Sequence, residues 1–104
     1  MSVFQFDERL QIRLPAFQTP YETYSRLEQE WILADWERIR AAIPDQIARF
    51  EQEIEYRLEA ISKEEDWNQI VFLFDEITDF ASRIHELNLW QRIDPAVSEQ
   101  QTED

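Results

Sequence analysis

The sequence predicts an all-α fold: a three-helix up-down-up bundle behind an N-terminal extended or short β arm, with helices 1 and 3 available for association. Three observations predict it. Apolar residues recur at helical spacing through most of residues 20–90. Two boxes of the form Ser/Thr-x-x-Glu, at Thr19–Glu22 and Ser62–Glu65, mark helix starts. Glycine is absent, and since glycine normally supplies the positive φ of tight hairpin turns, a many-stranded sheet is disfavoured. At 104 residues the chain has the length of one domain with one core.

Residues 1–18 form the arm. In "VFQFDERLQIRLP" the pairs Phe4 and Phe6, then Leu10, Ile12 and Leu14, alternate as in extended chain, with a pivot near Asp7 to Arg9. Residues 19–93 form the helical domain. Helix 1 is expected over about 20–42, because Thr19 can accept first-turn amides, Pro20 sits where its missing N–H costs nothing, and Glu22 closes the box. Pro44 cannot donate to the preceding turn and biases Ile43 away from helix, so a break or sharp kink is expected there. Helix 2 then covers about 45–61 and helix 3 about 63–90, with Ser62 as N-cap and Glu65 at the third position. Asp94 before Pro95 marks a stop, and 94–104 reads as a disordered acidic tail.

The helix faces differ in width. Helix 2 has one stripe, Ile47, Phe50, Ile54, Leu58 and Ile61, with Tyr56 opposite it. Helix 1 has two, one of Tyr24, Leu27 and Trp31 and one of Ile32, Trp36, Ile39 and Ile43. Helix 3 also has two. Trp67, Ile70, Val71, Phe74 and Ala81 make the first; Leu73, Ile77, Phe80, Ile84 and Leu87 make a short heptad seam, with Phe72 and Trp90 outside both. The surplus calls for a second packing surface, covered by the arm, a second copy of the chain or a different protein. The residues expected to carry association are Leu73, Ile77, Phe80, Ile84, Leu87, Phe72, Trp90 and Trp36. On a dimer through that seam, Leu73→Glu or Leu87→Glu would separate the subunits without unfolding them.

Chemistry is sparsely represented. Without cysteine there is no disulfide, thiolate metal site or catalytic Cys, and the composition fits a reducing cytosol. The N-terminus lacks a signal pattern and no apolar run is long enough to span a bilayer, so a cytoplasmic chain without membrane contact is expected. The net charge of −13 repels phosphate backbones, which argues against direct nucleic-acid binding. His85 is the single histidine and is expected at the edge of the core. Glu76 and Asp79 share a helix face at three-residue spacing, the arrangement of a Mg²⁺-binding helix.

That pair resembles the acidic pair of all-α nucleotide pyrophosphohydrolases of the MazG and dimeric dUTPase type, which implies a Mg²⁺-dependent nucleotide hydrolase. The resemblance covers those two residues only. The family pattern has a second such pair on the preceding helix, where this chain has Glu51, Glu53, Glu55 and Glu59, none of them three apart. The reading that follows is a non-catalytic acidic helical protein, without cofactor or metal, acting as a homodimer or adaptor toward another protein. The alternatives are the hydrolase using Glu76 and Asp79, and an acidic nucleic-acid mimic that blocks a basic partner.

Overall fold

The computed structural model describes residues 3–94, and its chain opens with an antiparallel hairpin of β1 (Phe4–Asp7) and β2 (Ile12–Pro15). A 3₁₀ turn at Tyr21–Thr23 follows, then α1 (Arg26–Ala41), α2 (Ile43–Lys63) and α3 (Trp67–Gln91). Apart from Asp94, the tail expected over 94–104 lies outside the described residues.

The three-helix up-down-up bundle does not form. α1 and α2 run on as one long bent helix, and α3 returns antiparallel along α2, so the molecule has two long helices and a small two-stranded sheet. Pro44 explains the difference. It occupies the first turn of α2, where a missing N–H leaves nothing unsatisfied, and Ala42 before it stays in the right-handed region at φ −88° and ψ −9°. The chain therefore bends there without reversing. A reversal in so short a space favours a residue of positive φ, and the single such non-glycine residue among those described is Gln11 at φ 59°.

Gln11 closes the hairpin that glycine was expected to be needed for. The Asp7 carbonyl accepts from Gln11 N at 2.7 Å and its side chain accepts from Leu10 N at 2.8 Å, so one aspartate holds both ends of the turn. The register pairs Phe4 with Pro15 and Phe6 with Arg13. Phe4 and Phe6 thus share a face, and Ile12, opposite Asp7, lies on the other; Phe4 and Ile12 are buried and Phe6 is exposed.

Two expected helix starts move. "TPYE" makes the 3₁₀ turn, with Thr23 N donating to Pro20 O at 3.0 Å, and Tyr24 is extended. α1 begins instead at a complete capping box further along: Ser25 Oγ accepts from Glu28 N at 3.1 Å and Glu28 Oε1 accepts from Ser25 N at 3.0 Å. Ser62 lies inside α2 and donates to Glu59 O at 2.7 Å. Asp66 caps α3 by accepting from Asn68 N at 3.0 Å. A capping residue must leave the helical region, and Ser62 stays within it because α2 continues to Lys63.

The core sits at one end of a molecule 59 Å long, where the hairpin, the bend and the last turns of α3 meet. Trp36, 1% exposed, stacks on Phe4 with centroids 6.1 Å apart and meets the edge of Trp90 at 6.1 Å. Its indole N–H donates to Ile93 O at 2.5 Å. Leu10, Ile39, Ile43, Phe50 and Leu87 complete the packing.

Leu87 is 0% exposed, so Leu87→Glu is expected to unfold the chain, contrary to the expectation from its heptad spacing. Ser25→Ala should cost about 1 kcal/mol in denaturant unfolding through loss of the cap. Glu28 adds a pH signature, since the Ser25 backbone N–H, and after it the Ser25 hydroxyl, hold its carboxyl below the ordinary range. A carboxyl depressed on folding contributes stability above its unfolded pKa and loses it as pH falls through the folded value. Glu28→Ala should therefore melt below the parent near neutral pH, and the gap should close as pH falls below about 4.

Candidate association surface

Three residues close the α2–α3 hairpin, and carboxylates rather than glycine shape the turn. Glu64 Oε1 accepts from Glu65 N at 3.2 Å and Asp66 N at 3.0 Å before Asp66 caps α3. From this turn back to the reach of Arg9, α2 and α3 pack against each other. Between residues 51 and 86 no side chain is fully buried. That stretch nonetheless carries Ile54, Leu58, Trp67, Val71, Phe72, Phe74, Phe80 and Ile84.

The hairpin has two unlike sides. On one, arginines bind the helices together. Arg57 reaches Glu53 at 2.9 Å and Glu76 at 3.2 Å, Arg83 reaches Asp79 at 2.6 Å, and Arg9 from the β-hairpin turn pairs with Glu86 and donates to Ser82 Oγ at 2.9 Å. The bond from Glu53, and after it that from Glu76, raise the affinity of Arg57 for its proton against the effect of burial. The same guanidiniums lie over aromatic rings: Arg57 sits 4.7 Å from the Phe80 centroid, and Arg83 5.0 Å from Phe80 and 5.6 Å from Phe50.

The other side is apolar and open. Glu51, Ile54, Glu55, Ala81 and Ile84 line a groove of about 430 Å³ between α2 and α3. Helical spacing carries this side toward the turn through Leu58 on α2 and through Phe74, Val71 and Trp67 on α3. Leu58 and Phe74 are each 49% exposed and Trp67 is 71% exposed.

The residues expected to carry association are divided by the structure. Leu87 is buried, Phe80 and Ile84 pack against the core, and Leu73 and Ile77 are half-buried on the same helical face. Trp36 is at the centre of the core, and Trp90 packs against it half-buried. Phe72 is exposed, but by helical spacing it falls on the ion-paired side with Asp79 and Arg83. The heptad seam of α3 thus faces its own chain, and the other stripe, Trp67, Val71 and Phe74, is the uncovered one. Ile54 and Leu58 join it from α2. Their signal in the sequence was the full width of α3 set against an α2 able to cover only one stripe.

His85 is exposed, not at the core edge as expected, because Ala81 and His85 ride on that uncovered side of α3. Glu76 and Asp79 come together as their spacing requires, but each carboxylate already faces a guanidinium, Arg57 for Glu76 and Arg83 with Arg9 for Asp79. Among the described residues no group of three or more His, Cys, Asp or Glu side chains is placed to share a metal ion. A second groove of about 310 Å³ runs beside α1, lined by Tyr24, Glu28, Trp31, Asp35 and Arg38 among others. Its charged groups are committed locally, Glu28 to the cap and Asp35 to Arg38.

Comparison with protein-family models, with curated proteins and with solved structures gave no match for this chain.

Exposed ion pairs are worth up to roughly 1 kcal/mol each. The double variant Glu76→Gln with Asp79→Asn should therefore lose a small amount of stability by freeing Arg57 and Arg83. Isothermal titration of Mg²⁺ should give the same trace for this variant and the parent, whereas a metal-binding pair would make the two differ.

Proposed function

We propose that this chain acts by association and not by catalysis, through the open side of the α2–α3 hairpin. The observation that carries the reading is the absence of any fully buried side chain between 51 and 86 in a segment so rich in large apolar residues. An apolar face of that kind is what protein-protein surfaces present. Each large side chain it buries on association contributes about 1.5–3 kcal/mol if fully covered. The occupant is a helical protein surface, with a second copy of this chain as the first case. The charge of −13 sets the chain against phosphate backbones.

Among the described residues no helix is long and apolar enough to cross a membrane. On this reading the protein works in the cytoplasm, in keeping with a chain without cysteine.

Mass measurement by light scattering after gel filtration tests the reading. The parent chain should run above its 12.7 kDa chain mass at micromolar concentration. Ile54→Glu and Phe74→Glu, both at half-exposed positions, should fall to the single-chain mass with an unchanged far-ultraviolet spectrum. A parent that stays at the single-chain mass at every concentration would remove self-association.

A further inference from the structure

The two rims of the open side carry different chemistry. The α2 rim is a ladder of carboxylates one turn apart, Glu51, Glu55 and Glu59, and among the described residues neither Glu51 nor Glu55 has a cation in an ion pair. The α3 rim follows Thr78, Ala81, His85 and Asn88, all exposed and none of them a carboxylate. This asymmetry is independent of the apolar face itself. It constrains what can cover that face, and how.

The width of the face argues for an occupant two helices wide. A lone helix lying in the groove would cover Ile54, Ala81 and Ile84 and leave Trp67 and Val71 at the outer edge of α3 uncovered. A matching helical hairpin reaches both edges. Residues 95–104 contain no Leu, Ile, Phe, Tyr or Trp with which to line one. A second copy does supply one.

Two identical hairpins can stack open side to open side in two closed ways. With the two-fold axis across the helices, α2 faces α2 of the copy, and the ladders of Glu51, Glu55 and Glu59 confront one another as like charges. With the axis along the helices, α2 faces α3 of the copy in antiparallel sense, and each ladder meets a rim without carboxylates. The heights then match as well. Within one chain Phe50 meets Phe80 at 5.5 Å and Arg57 meets Glu76, so Glu55 stands level with Thr78 and Glu51 with Ala81. An axis along the helices preserves those levels between copies.

The geometry points to a homodimer in which the open side of each α2–α3 hairpin is covered by the other, with α2 against α3 of the copy. The inference rests on the association reading above and adds the partner and its orientation. The chain has no cysteine of its own, so engineered thiols report contacts without background.

The experiment uses two full-length variants, Glu55→Cys and Thr78→Cys, each oxidised alone and as an equimolar mixture, with non-reducing electrophoresis and native mass as readouts. Both positions are exposed, and a second pair, Glu51→Cys with Ala81→Cys, serves if either variant fails to fold. The expected result is a doubling of mass in the mixture through a mixed disulfide, with little or no disulfide in either variant alone. Efficient cross-linking of Glu55→Cys with itself would place α2 against α2 and overturn the orientation while leaving association in place. A native dimer with no mixed disulfide from either pair would overturn it equally. A native mass equal to one chain throughout would instead take down the association reading on which the inference stands.

Discussion

The indole of Trp36 joins the β-hairpin, α1 and the end of α3 at a single side chain. It stacks on Phe4 from the β-hairpin, takes the edge of Trp90 from the end of α3, and donates to the carbonyl of Ile93 just past the last helical turn. A buried tryptophan needs an acceptor for its N–H, and a residue beyond a helix end has a carbonyl to offer. The bend at Pro44 makes the meeting possible. It turns the α1 face of Ile32, Trp36 and Ile39 so that hairpin and α3 can both reach it, while Ile43 and Phe50 continue the same packing into α2. The β-hairpin, although only a few residues per strand, is therefore part of the core and not an appendage to it.

Charge distinguishes the two sides of the helical hairpin more than it stabilises either. Pairs such as Arg57 with Glu76 and Arg83 with Asp79 are individually weak when half-exposed. Their arginines nonetheless cover Phe80 and Phe50, so the edge of the core is roofed by guanidinium on that side. Among the described residues the carboxylates Glu51 and Glu55 on the opposite side have no such partner. With Arg57, Arg83 and Arg9 gathered on one side of the hairpin, the other side is defined by apolar surface bordered by acid.

Much of the helical content was legible from residue spacing, and so was the capping logic, though not its placement. "SRLE" at 25–28 satisfies the same box as "TPYE" at 19–22, and only the burial of Tyr21 with its neighbours Phe17 and Tyr24 decides between them. The bend at Pro44 was legible, but the reversal expected there was not made, because a proline at a helix start fits a kink and a turn alike. Whether the chain reverses depends on the conformation of Ala42, which no local pattern announces. Similarly, the helical period showed that α3 has two apolar stripes but not which of them α2 would take. That choice follows from where the aromatic core at the far end fixes the rotation of α3, through Leu87 and Trp90.

Because the core lies at one end, resistance to opening must be graded along the length of the molecule. Amide protons near Trp36 and Leu87 exchange only when the whole structure comes apart, whereas those around the Glu64–Asp66 turn can exchange through separation of the last turns of α2 and α3. Whatever settles on the open side would then first have to hold still a region that is otherwise free to fray. Part of its binding energy goes into ordering that region. Occupancy would accordingly be felt furthest from the core, as slowed exchange in the distal turns, with the Trp36 cluster hardly altered.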